Sequence, residues 1–327
     1  MDIRTALFAW REQHRLDARA ATRLEQLAGL RGEPPALTRV LPTGVMVLGV
    51  ALLGLGVILW IAANWDALPR AGRFGLLQAL VVVALLGAAA RPAQRAPLAL
   101  LAHFGIGGLF AYFGQTYQTG ADPWQLFALW AALSLPLCLA VRSDLLWAPW
   151  ALVVMTAISL WVQVHTGHGW RVLPDDLRAH LAGWAAALAL VGLLSAPLRG
   201  HTGAGPWALR TALTLAVVAV SATGLGGLFH SHVAAQYPLA LLVLAVLAAA
   251  LARRDSFDIY GLSAAALGLD VLLVCGLGRW LFDSHGSGDT VGRLLVLGLS
   301  AAALLAATVS GVLRLARRHA ASAGEAA

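Results

Sequence analysis

Lysine is absent from this 327-residue chain, and all 23 basic residues are Arg. Charged residues of every kind make up only 12%, against about a quarter in soluble domains. That scarcity, beside 59% hydrophobic residues and a mean hydropathy of +0.76, excludes an ordinary soluble fold. Only two cysteines occur, Cys138 and Cys275, both within apolar runs and neither in a CxxC. No disulfide framework or zinc knuckle is indicated. Missing too are GxxxxGK[ST], HExxH and GxSxG, so nucleotide and hydrolase chemistry have no motif to stand on. No cofactor is implied. A cleavable signal segment is not visible either, because the first apolar run begins near residue 44 and is too long for a signal h-region.

What the chain has instead is apolar runs. Residues 44–73 read GVMVLGVALLGLGVILWIAANWDALPRAGR, and the first twenty carry no charge. Such a helix is long enough to cross a bilayer core of about 30 Å. The runs are continuously apolar rather than alternating, which excludes a transmembrane barrel. In lipid the backbone must satisfy its own hydrogen bonds, so each run is expected to be a helix. The fold class is therefore all-α, a polytopic transmembrane bundle of about ten spans with a short cytosolic N-terminal helical segment. The spans fall near residues 44–64, 73–90, 97–116, 123–141, 145–164, 178–197, 207–229, 235–252, 257–280 and 291–313.

Four regions follow: a cytosolic amphipathic segment and linker (1–43), two halves of the bundle (44–197 and 198–313) and a cytoplasmic tail (314–327). In the first, Asp17 is placed to cap a helix through Leu27, with Leu16, Ala20, Leu24 and Leu27 at helical spacing. Pro34, Pro35 and Pro42 mark the linker.

The formal charge of +7 does not point to nucleic acid, because the Arg residues sit between apolar runs. That is the pattern of topology signals and anionic-lipid contacts. With the N-terminus inside, only Arg70, Arg73, Arg171, Arg178, Arg279 and Arg293 fall outside, so both termini are expected in the cytoplasm of a bacterial inner membrane. Trp147, Trp150 and Trp207 fall near inner span ends and Trp60, Trp65 and Trp124 near outer ones, as an aromatic belt would.

Two stretches then carry a resemblance. GVILWIAANWDALPRAGR (56–73) and FGQTYQTGADPWQLFALW (113–130) resemble the signature of the DUF2157 family of predicted bacterial membrane proteins. Ala63, Asn64 and Trp65, with Gly114, Gln115, Tyr117, Gly120 and Asp122, are the matching residues. The resemblance covers roughly residues 1–165. It implies a membrane architecture and no activity, since the family's function is unassigned.

Both stretches leave the membrane on the outer side. Asn64, Trp65, Asp66, Gln115, Tyr117 and Asp122 are candidates for an outer-face cluster that holds a ligand. The simpler alternative is an interface lock that anchors two helix ends. Asp270 lies mid-span, where an ionised carboxylate costs about 2.5–3.5 kcal/mol on insertion scales, so it should face the bundle or stay protonated. His103 in the third span is its candidate partner. His165, His168, His230, His232 and His285 fall in outer loops; imidazoles at such spacing suit a metal ion, although solvated loop histidines are the plainer reading. The glycine triplets at 105, 107, 108 and 224, 226, 227 read as close-packing sites or as helix breaks.

Three functions compete. A small-solute or proton-coupled transporter would place Asp270 on its path. A scaffold or sensor would hold a cytosolic partner through the N-terminal helices. A lipid-acting enzyme would use outer His and Asp residues, although no catalytic set stands out. The expected partners are membrane lipids, a small molecule or ion, and further copies of the chain, with no nucleic acid.

Overall fold

The computed structural model describes residues 7, 9–10, 12–14, 16–28, 35–64, 69–117, 120–167, 171–253, 256–283 and 290–324. Among these the secondary structure is helical throughout, without strands. The chain separates into two compact units, Met1–Asn64 and Trp65–Ala327.

The first unit holds α1 (Ala18–Leu27) and α2 (Pro35–Ala63). Asp17 does cap α1: its Oδ1 accepts a hydrogen bond from the Ala20 amide at 2.7 Å. The helix α2 begins at Pro35 and continues through Pro42, so these two prolines belong to the helix and not to a linker before it; Pro34 lies outside the described residues. Proline at a helix start loses no bond that the helix would have made, which explains the boundary at Pro35.

The second unit contains α3 (Arg70–Ala90), α4 (Arg95–Tyr117), α5 (Pro123–Val141), α6 (Asp144–Thr166), α7 (Leu177–Leu193), α8 (Pro206–Leu228), α9 (Gln236–Leu251), α10 (Ile259–Asp283) and α11 (Thr290–Gly324). Seven helices in this unit are long and apolar enough to cross a membrane, namely α3, α4, α5, α6, α8, α10 and α11. An eighth span forms if α7 is joined to the short helices at residues 196–202, across a 53° bend. The helix α9 has only 16 residues, about 24 Å at 1.5 Å per residue, which falls short of the roughly 30 Å core. In α2 the described apolar stretch, Gly44–Gly54, is shorter still. These are the two spans by which the expected ten exceeds the eight that pass on length and composition.

At the centre of the second unit lies α8, packed against α6, α7, α9 and α10. The reason is a stripe of residues four apart: Ala204, Ala208, Ala212, Ala216, Val220, Gly224 and Leu228 are all buried. A row at this spacing forms one ridge, and small side chains let neighbouring helices close on it. Leu146, Trp147 and Ala151 of α6 are fully buried in the same core. Trp147 and Trp150 therefore do not belong to an interfacial belt. Their indole N–H groups donate inward, to the Thr202 carbonyl at 3.0 Å and the Ala131 carbonyl at 2.8 Å. Only Trp207 of that expected inner trio is exposed.

Alternation of the helices is visible in what their ends touch. At one end, the Arg142 guanidinium donates to the Gly200 carbonyl, Asp144 binds the start of α8, Arg210 pairs with Asp258 at 3.7 Å, and His319 stacks on Phe257. At the other, Gln236 donates to the Leu173 carbonyl at 2.7 Å and Arg279 to the His230 carbonyl at 2.7 Å. Segments expected on the same side of a membrane meet there.

Candidate functional site

Asp270 is the one acidic side chain that the apolar sequence of α10 carries at mid-helix, and the helix turns it inward together with Gly268 and Leu272. It is 8% exposed. Its Oδ1 accepts a hydrogen bond from the Thr308 hydroxyl of α11 at 2.9 Å. Its Oδ2 is buried and has no hydrogen-bond partner among the described residues. The carboxyl group thus has one anchored oxygen and one open oxygen, which can accept a donor, carry a proton or ligate a cation. Buried polar atoms are usually paired, so the unpaired Oδ2 sets Asp270 apart from the apolar core around it.

Thr308 was not among the residues singled out from the sequence. A threonine inside a membrane helix ordinarily returns its hydroxyl to the carbonyl four residues back, so nothing in the run AALLAATVSGVL announces a tertiary partner.

His103 is also fully buried, and neither ring nitrogen has a partner among the described residues. Its surroundings are aromatic, with Trp130 at 5.1 Å and Phe104 at 5.6 Å between ring centroids. Trp130 donates its indole N–H to the His103 carbonyl at 2.8 Å. Gly107 makes room for that indole, since a Cβ there would lie 2.5 Å from the ring. The structure does not pair His103 with Asp270: α4 packs on α3, α5 and α6, whereas α10 packs on α8, α9 and α11. The cost of a charge in lipid says that Asp270 faces inward, but not which helices are its neighbours.

The glycine triplets resolve in favour of packing. Gly105 meets Val81, Gly224 meets Ala240 and Gly226 meets Val172, each closer than a Cβ would allow. Both α4 and α8 run unbroken through their triplets.

The outer-face candidates divide between the two units. Asn64 returns its amide to the Trp60 carbonyl at 2.9 Å, closing its own helix end. Trp65 and Asp66 lie outside the described residues. Tyr117 stacks near Phe113 and Phe74, at 4.9 and 6.0 Å. Asp122 stands at the N-cap position of α5 without a side-chain cap bond, and Gln115 is exposed. The Asn64 bond closes a helix end, and the Tyr117 ring contact with Phe74 joins α4 to α3.

Among the outer histidines, His165 places Nδ1 2.8 Å from the Trp161 carbonyl and stacks on that indole. His230 approaches the Ser231 hydroxyl at 3.2 Å, and His232 is exposed. His168 and His285 lie outside the described residues. Among the described residues no three His, Cys, Asp or Glu side chains gather as a metal site would require.

Residues 8–147 match the DUF2157 family, described as a predicted membrane protein. The DUF2157 region takes in α1 to α5 and the first turn of α6, ending at Trp147. Asp270 and Thr308 lie beyond it, as do α7 to α11. No curated protein and no solved structure matches the chain. As with the DUF2157 description itself, the apolar helices make this a membrane protein of several spans and assign it no activity.

Proposed function

We propose that the protein is a transporter-like component of a bacterial inner membrane that moves a small solute or ion, with Asp270 as its protonatable or ion-binding group. The observation that carries this reading is the buried Asp270 carboxyl with one open oxygen between α10 and α11. Acidic groups inside membrane helices are expensive to maintain, and they recur on ion and proton paths. The ten-span topology with both termini in the cytoplasm belongs to this proposal. So do Gln115, Tyr117 and Asp122 of the outer-face candidates, as groups that a solute would meet first. The Arg distribution supports the orientation.

The test uses the full chain in proteoliposomes under an imposed membrane potential, with an internal pH dye. Wild type is expected to pass protons and Asp270→Asn to lose that flux, while Thr308→Val keeps it. Infrared difference spectra should show a carboxyl band that Asp270→Asn removes. Unchanged flux and an unchanged carboxyl region in Asp270→Asn would end the proposal.

One observation favours a second reading, a scaffold or sensor for a cytosolic partner. In the N-terminal unit, Trp10 and Leu27 are large apolar side chains left 56% and 81% exposed. A photo-reactive residue at Leu27 of the full chain in cells is expected to capture one cytosolic protein on this reading. Adducts with lipid alone would count against it.

A further inference from the structure

Between α7 and α9 runs a half-open groove of about 680 Å³, floored by α8. Its volume lies within the roughly 300–1,000 Å³ of small-molecule sites. Leu188 and Val191 form one wall, Leu242, Val246 and Leu251 the other, and Leu209 the floor. Leu242 and Val246 are 59% and 61% exposed, so the groove opens on a surface that presents bare aliphatic side chains. With α9 taken as one of the ten spans proposed above, that surface faces lipid.

The groove is polar at one end only. There the chain breaks after α7, bends by 53°, and brings Ser195 and Arg199 to the mouth. Ser195 returns its hydroxyl to the Gly192 carbonyl at 2.5 Å, and Ser256 returns its own to the Ala250 carbonyl at 2.6 Å. Asp258 also lines this end, but its oxygens are engaged: Oδ2 accepts from the Gly261 amide at 2.8 Å and Oδ1 faces Arg210 at 3.7 Å. Arg199 is different. It is exposed and makes no side-chain hydrogen bond or ion pair among the described residues.

We infer that this groove is a binding site for an anionic phospholipid of the surrounding bilayer, with one acyl chain between α7 and α9 and the phosphate on Arg199. An aliphatic slot gains little by exchanging one apolar neighbour for another, because lipid tails are as apolar as leucine. Selection among lipids must therefore come from the headgroup. A guanidinium is suited to it, since it offers paired donors to phosphate oxygens. The site sits at an Arg-bearing end of the bundle, with Arg142, Arg210 and Arg253 on segments that end there, so an anionic headgroup meets a favourable field. The chain bends between Leu193 and Ala196, at this mouth.

Native mass spectrometry of the detergent-solubilised full chain tests this, with equal amounts of phosphatidylglycerol and phosphatidylcholine of matched chains. Wild type is expected to retain phosphatidylglycerol preferentially. Arg199→Gln should lower that preference about fivefold, the effect of roughly 1 kcal/mol for one interfacial arginine. Val246→Trp, which fills the groove, should reduce retention of both lipids, and Arg314→Gln should leave the preference unchanged. Inorganic phosphate at millimolar concentration should not displace the lipid. Equal preference in wild type and Arg199→Gln would overturn the inference. So would Val246→Trp that shifts the mass from oligomer to monomer without changing lipid retention, which would make the groove a contact between copies.

Discussion

Trp147→Ala is expected to destabilise the bundle by about 3 kcal/mol, the lower end of the range for truncating a buried aromatic side chain. The lower end applies because the transfer component shrinks when the unfolded helices stay in an apolar medium. The cavity component does not shrink. Trp147 is fully buried among Ala204, Ala208 and Leu209 of the core, and its ring meets Trp150 edge-on at 5.1 Å. Alanine would leave an indole-sized void beside a row of small residues. It would also leave the Thr202 carbonyl without the indole donor. Trp147→Phe keeps most of the volume and loses the N–H, so about 1 kcal/mol is expected. Thermal unfolding in a fixed detergent measures both variants. Equal melting temperatures for Trp147→Ala and wild type would show that the corner carries no stability.

Asp144→Ala is the second large effect, expected at about 2–3 kcal/mol, in the range for lost hydrogen bonds to a charged acceptor. The Asp144 carboxylate closes the N-terminus of α8 from another helix. Its Oδ1 accepts from the Gly205 and Ala208 amides at 3.1 and 2.9 Å, and its Oδ2 from the Trp207 amide at 2.7 Å. The first amides of a helix have no partner of their own, and a negative charge there also meets the positive end of the helix dipole. Gly205 stands at the position where Ser, Thr or Asp would normally cap, and it has no side chain to offer. It must also stay small, because a Cβ at Gly205 would lie 2.6 Å from the Asp144 carboxylate. Asp144→Asn retains a single acceptor oxygen and should fall about midway between alanine and wild type. If Asn and Ala behave alike, the charge rather than the bonding pattern is what matters. If neither lowers the melting temperature, the cap is not stabilising.

These two residues flank the same turn, and they show where sequence reading stops. Trp147 looks like a belt residue because it lies three positions into a span that begins at a charged corner. It is buried because the segment around Thr202 folds back over it, and that contact joins residues 55 apart. Asp144 looks like a soluble corner for the same reason. Its three amides come from residues 61 to 64 positions on. The stripe from Ala204 to Leu228 was readable in principle, as small residues recurring every four. In an Ala-rich chain such a row does not stand out from its surroundings. Asp270 was different: one carboxyl group in a long apolar run is visible at once, and the run alone says that it must face inward.

Hydropathy along the chain determined that the fold is built of apolar helices and, for most of them, their approximate limits, because a bilayer core admits only backbone that is bonded within its own segment. Charge placement determined the expected orientation. Tertiary structure alone decided the neighbours: Thr308 beside Asp270, Trp130 beside His103, Asp144 beneath α8. Helical periodicity records which face of a helix is buried, but in a chain of similar apolar helices it carries no record of which helix covers that face.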